Sequence, residues 1–158
     1  MRHPYRLVVL LLLFLVCFLV WNRVQEQDGT DSVEQGSNSA VYLSEHGMAL
    51  HLYEPTVEEV ISSPLTISGE APGIWFFEAT FPIMLVNWDG LIIASGFASA
   101  QEDWMTQEMV PFTGVLNFES QETSQDFFKN GALILQKDNP SGLPEFEDAV
   151  EIPVRFAK

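Results

Sequence analysis

The chain has 158 residues, 47% of them apolar, and sets 22 acidic residues against seven basic ones for a formal net charge of −15. That length holds one domain with a real core, and so apolar a chain is not disordered throughout. All the acidic residues follow Gln25, whereas Arg2, Arg6 and Arg23 precede it, so the part after Arg23 carries 4 − 22 = −18. With no Lys or Arg from 24 to 128, the chain lacks the cations that release counterions from a phosphate backbone, which argues against nucleic acid and anionic lipid headgroups as partners.

Arg2, Arg6 and the terminal amine precede an apolar run at 7–21 that contains seven Leu, four Val and two Phe. At the usual per-residue values this run favours membrane insertion by about 5 kcal/mol, although it is short for a span of roughly 20 residues. Tyr5 and Trp21 flank it as interfacial aromatics. Either a signal peptide or a short signal anchor has this form. The sequence Val20-Trp21-Asn22-Arg23 offers no small-x-small cleavage site, so the expectation for 1–23 is an uncleaved transmembrane anchor. The basic start places the N-terminus in the cytoplasm and everything after Trp21 outside. Cys17, the single cysteine, lies inside this run behind Val16 rather than behind the small residue of a lipobox, and reads as one more apolar residue. The rest of the chain therefore has no disulfide, thiol nucleophile or cysteine-based zinc site.

Residues 24–40 are acidic and rich in Gly, Ser and Asn, without periodicity, and read as a flexible tether spanning roughly 20–25 Å. From 41 onward the signals are all β. Residues 48–53 alternate Met48, Leu50 and Leu52 against Ala49, His51 and Tyr53, and 55–60 reads as an irregular crossing. Leu65 and Ile67 share one face of the strand 65–70, and Ala71-Pro72-Gly73 is a turn. From 75 to 85 every odd position is apolar (Trp75, Phe77, Ala79, Phe81, Ile83, Leu85), which assigns that face to the core. Pro82 cannot donate to a ladder, so this strand is exposed along part of one edge or bulged. Asp89-Gly90 is a hairpin signal with a predicted type I′ turn. It leads to 91–100, where Leu91, Ile93 and Phe97 form one face and Ala94, Gly96, Ala98 and Ala100 the other.

After a polar connection at 101–109, interrupted by Trp104, alternation resumes at 110–119 with Phe112, Leu116 and Phe118. A polar loop at 120–126 precedes a buried strand at 131–136. Asn139-Pro140-Ser141-Gly142 has the residues of a type I turn. The last strand, 150–156, turns Val150, Ile152, Val154 and Phe156 inward, and its Pro153 suggests an edge. About seven strands, closely spaced turns and no amphipathic helix give an all-β fold, a β-sandwich over 41–158.

Pro64-Leu65-Thr66-Ile67-Ser68-Gly69-Glu70-Ala71, then Phe77-Glu78-Ala79 leading to Asp89-Gly90, resembles the immunoglobulin-like GerMN-associated domain of bacterial spore-germination proteins. The resemblance continues through Trp104, Val115-Leu116-Asn117-Phe118, Gly131-Ala132-Leu133-Ile134-Leu135 and Glu151-Ile152-Pro153-Val154-Arg155-Phe156, and covers roughly 48–156. It implies an immunoglobulin-like fold displayed outside the cytoplasmic membrane, and it carries over no catalytic residue.

Four constellations invite a functional reading. Asp138, Asn139, Glu145, Glu147 and Asp148 crowd one loop as a weak calcium candidate, since calcium takes oxygen ligands, but the spacing is not that of an EF-hand and solvated acidic loops are common. Glu70, Glu78, Asp89, Glu102 and Asp103 supply carboxylates for hydrolysis, yet no spacing sets a pair apart, and His46 and His51 have no nucleophile motif beside them. Trp75 and Trp104 read as core of a sandwich without a disulfide, whereas Trp88, in a turn, could stack on a glycan or a partner. Finally, if the odd face is core, Phe76, Met84 and Val86 face outward around Pro82, and a contiguous exposed apolar area marks a contact surface. The expectation is a non-enzymatic, membrane-anchored extracytoplasmic interaction or structural module without a cofactor. Its partner would be an envelope protein or cell-wall component contacted through Phe76, Met84, Val86 and Trp88. The alternative is a glycan-binding module.

Overall fold

A computed structural model describes residues 39–119 and 129–157, all within the compact unit Asn38–Lys158. The expected anchor and all but the last two residues of the tether lie outside these residues, as does the polar loop at 120–126. Among the described residues no helix is long and apolar enough to cross a membrane.

Among the described residues nine strands run in chain order: β1 (Ala40–Leu43), β2 (Ala49–Glu54), β3 (Glu59–Ile61), β4 (Leu65–Pro72), β5 (Thr80–Asn87), β6 (Ile92–Ala100), β7 (Met109–Leu116), β8 (Asn130–Gln136) and β9 (Ala149–Phe156). They form one hydrogen-bonded sheet in the order β1-β2-β4-β7-β6-β5-β8-β9-β3. The sheet curls into two layers because β6 changes partner along its length: it pairs with β5 from Ile92 to Ser99 and with β7 from Ala98 to Ala100. Side chains from both layers meet in one core. Phe112 of β7 packs edge-on against Phe81 of β5 at 4.9 Å between ring centres, and Leu50, Ile67, Leu133 and Ile152 are fully buried with them. Trp75 and Phe76 add two further edge-on contacts to Phe81, at 6.4 and 5.2 Å. Such pairs contribute about 0.5–1.5 kcal/mol each beyond the area they bury. Trp104 packs on the rim of this core, so both tryptophans expected in the interior are there.

All seven expected strands are present, and two short ones join them. β1 begins at Ala40, which the tether was expected to include, and β3 occupies the expected irregular crossing. β3 runs parallel to β9, pairing Glu59 with Val154 and Ile61 with Phe156, so β9 is not an edge despite Pro153. The Pro153 carbonyl accepts the Glu58 N–H at 2.8 Å, which places the imide nitrogen on the β3 side at the mouth of that pairing and away from the β8 ladder. Pro82 likewise lies just beyond the β5–β8 ladder, which starts at Ile83↔Leu135.

The turn chemistry differs from expectation at both ends of β5. At 87–91 the Gly90 N–H donates to the Asn87 carbonyl at 3.0 Å, and only Gly90 has a positive φ, +82°. This is a type I turn closed by a left-handed glycine, not type I′, because Asp89 stays in the ordinary region. Both central residues are left-handed instead at 77–80, where Glu78 (φ 50°) and Ala79 (φ 63°) sit between reciprocal Phe77–Thr80 backbone bonds of 3.0 and 3.1 Å. β5 therefore starts at Thr80, and the expected strand over 75–79 is a 3-10 turn (Gly73–Trp75) followed by this tight reversal. Trp75 is still buried, but Phe77 is exposed, contrary to its place on the odd face.

Candidate interaction surfaces

Phe81, Ile83 and Leu85 point inward, so Pro82, Met84 and Val86 point out through the opposite face of β5. Residues directly opposite in neighbouring strands share a face. Pro82 pairs with Phe97, Met84 sits between Ser95 and Ile134, and Val86 between Ile92 and Ala132. Beyond β8, Ile134 pairs with Glu151 and Ala132 with Pro153. The outer face of the layer β6-β5-β8-β9 is thus mainly apolar around β5, with Ser95 opposite Met84, two charges (Glu151 and Arg155) on β9, and Phe97 61% exposed at its rim. Ala132 is covered by its neighbours yet stands apart from the core cluster, as its position on this outer face requires.

Two of the four expected contact residues, Met84 and Val86, lie on this strip half-buried, and Trp88 is exposed in the turn that ends the hairpin. Phe76 does not join them. It is 4% exposed and packs against Phe81, because the tight reversal after it takes the chain out of strand geometry and the even–odd rule does not extend past Thr80.

Phe97 and Ile92 were not expected on this surface. Counting outward from the Asn87–Leu91 closure, an uninterrupted hairpin would place Phe97 opposite Phe81, in the core. A bulge opposite Leu85 and Val86, which leaves Ile93 unpaired, shifts the register by one, so that Phe81 faces Ala98, Ile83 faces Gly96, and Phe97 turns to solvent. Packing favours that shift. A Cβ on Gly96 would already lie 3.1 Å from Leu116, so the interior opposite β5 accommodates the small face of β6 and has no room for Leu or Phe. Ile93 packs against the core from the bulge.

Of the calcium candidates, Asp148 and Asn139 bond to other side chains and to the backbone. Asp148, buried, accepts hydrogen bonds from the Ser44 hydroxyl (2.7 Å) and the His46 N–H (3.1 Å), which fastens the β1–β2 turn to the start of β9. The Asn139 side chain donates to the Leu143 carbonyl and accepts from the Ser141 hydroxyl, while Glu145 and Glu147 are exposed. Among the described residues no three or more His, Cys, Asp or Glu are placed to hold a metal ion. The carboxylates considered for hydrolysis are dispersed: Glu70 pairs with His51 at 3.4 Å on β4 and β2, Asp103 caps the Met105 N–H, and Glu78 and Asp89 occupy turns at opposite ends of β5.

Two layers joined by a strand that changes partner, with a short parallel strand beside the last one, define an immunoglobulin-like β-sandwich. The family model for the immunoglobulin-like domain of bacterial spore germination matches residues 50–132, and the chain belongs to that family. No curated protein and no solved structure matches the chain.

Proposed function

We propose that this chain is a non-enzymatic interaction or structural module of the bacterial cell envelope, held to the membrane by residues 7–21 and carrying its sandwich on the extracytoplasmic side. The observation that carries the reading is the apolar strip Phe97–Pro82–Met84–Val86–Ile134, nearly free of charge in a domain that is otherwise strongly acidic. An exposed apolar strip on an acidic, self-repelling domain is a contact surface, since solubility alone would favour charge there. Membership of a germination-associated family supports an envelope setting.

Replacing Met84 and Val86 together by Ser tests the strip: the domain keeps its fold and partner capture weakens. Unfolding of this variant would mean that the face is covered in the native protein. Trp88, exposed in its turn, supports the glycan-binding alternative, in which the chain sediments with purified peptidoglycan and Trp88→Ala does not. The mass of the mature N-terminus tests the anchor, which predicts an intact Met1 region rather than a new terminus after the apolar run.

A further inference from the structure

Three loops meet at the end of the sandwich where β4 finishes and β5 begins, the end opposite the Trp88 turn. The 3-10 turn Gly73–Trp75 is bonded on both flanks. Gly73 donates its N–H to the Glu108 carbonyl at 3.1 Å, and the Trp75 carbonyl accepts the Asp138 N–H at 3.0 Å. The segment 73–79 is thereby clamped between the β6–β7 loop (101–108) and the β8–β9 loop (137–148). A Cβ on Gly73 would lie 2.1 Å from the Thr106 carbonyl oxygen and 2.4 Å from that of Trp104, so the first pair of loops touches backbone to backbone.

These loops project large apolar side chains into water: Ile74 (64% exposed), Phe77, Met105 (76%), Leu143 and Phe146. The backbone under them is already fixed. Trp75 and Phe76 are sunk in the core between the exposed Ile74 and Phe77, the Asp103 carboxylate holds the Met105 N–H at 3.0 Å, and Asn139 and Ser141 hold both polar groups of Leu143. A surface presented in this way loses little conformational freedom on binding, which is the commonest cost of a loop-built contact. The same three loops carry eight carboxylates, Glu78, Glu102, Asp103, Glu108, Asp138, Glu145, Glu147 and the buried Asp148, against Lys137 as their single Lys or Arg, which donates to the Phe146 carbonyl at 3.4 Å.

We infer that this loop end is a second docking surface, separate from the sheet strip, and that its occupant is a basic protein segment bearing apolar side chains. Charge decides the partner. Loops that carry exposed apolar side chains among carboxylates repel anionic lipid and nucleic acid, and they complement Lys and Arg placed between hydrophobic anchors.

The test selects a random displayed peptide library on the full-length chain, then measures selected peptides against Ile74→Ser/Met105→Ser/Phe146→Ser and, separately, Phe97→Ser. Enriched peptides carry net positive charge with interspersed apolar residues. The triple variant binds them about tenfold or more weaker, Phe97→Ser binds them unchanged, and affinity falls as salt is raised. Because all three side chains are exposed, the triple variant keeps the parent's unfolding midpoint; if it does not, Glu78→Lys/Glu145→Lys serves instead and disfavours the same peptides. Enrichment of neutral or acidic peptides overturns the inference, as does equal binding by the triple variant or loss of binding in Phe97→Ser. Binding of phospholipid vesicles that the triple variant abolishes assigns the loop end to a membrane surface and overturns it too.

Discussion

Ala79 and Glu78 both adopt the left-handed conformation with a Cβ in place, at a cost of roughly 1–2 kcal/mol per residue. Ala79→Gly removes that cost and restores part of it as unfolded-chain entropy, so the variant gains about 0.5–1 kcal/mol, read from the denaturant midpoint. A loss of stability would show that the Ala79 side chain packs more than it strains. Gly73→Ala has the opposite sign: the new methyl must displace the Thr106 and Trp104 carbonyls, costing about 1–3 kcal/mol and loosening the 101–108 loop in hydrogen exchange. Two phenols set an alkaline limit. Burial raises Tyr42, and burial together with a hydrogen bond to, and the charge of, Glu70 raises Tyr53 above its ordinary value. A raised folded value means that the stabilisation is complete below the unfolded phenol's pKa, about 10, and is lost as pH climbs through the folded value. The melting temperature therefore falls above about pH 10, and falls less in Tyr53→Phe. None of these positions carries a mark in the sequence. Glu-Ala has no turn signature, and Gly73 owes its identity to a loop some thirty residues away.

The β5–β6 hairpin shows where alternation is a sufficient guide and where it fails. Within β5, β8 and β9 the period-two pattern identifies both faces, because each strand is straight and its inner residues are large: Phe81, Ile83, Leu85; Leu133, Leu135; Val150, Ile152, Val154. In β6 the pattern separates two faces without saying which is inside: hydrophobicity favours Phe97 inside, whereas the bulge at Ile93 and the crowded interior favour Ala98. A one-residue bulge leaves no trace in composition, only in pairing. The consequence is a contrast between two phenylalanines: Phe97→Ser changes stability by less than about 0.5 kcal/mol, whereas Phe76→Ala costs about 3–5 kcal/mol. Equal effects from the two would show that the bulge is absent and the register unshifted. The edges β1 and β3 escaped notice for another reason: three or four residues are too few to establish a period.

Taken whole, the domain separates its surface by charge. Acidic residues crowd the loops and turns, while the outer face of β6-β5-β8-β9 is mainly apolar, with Glu151 and Arg155 as its charges on β9. The fold class and most of the core could be read from residue order, because periodicity and turn residues report local geometry. The contact strip could be read only in part, because it is assembled across three strands and depends on register. Met84 and Val86 lie on it, Phe76 does not, and Phe97 and Ile134 complete it. The central claim is that this strip is where the module meets its partner. The most direct measurement is photo-crosslinking in intact cells from position 97, with position 66, exposed on the other layer, as its counterpart. A discrete crosslinked envelope protein from position 97 that is absent from position 66 is the predicted result; no adduct from 97, or the same adducts from both, would contradict it.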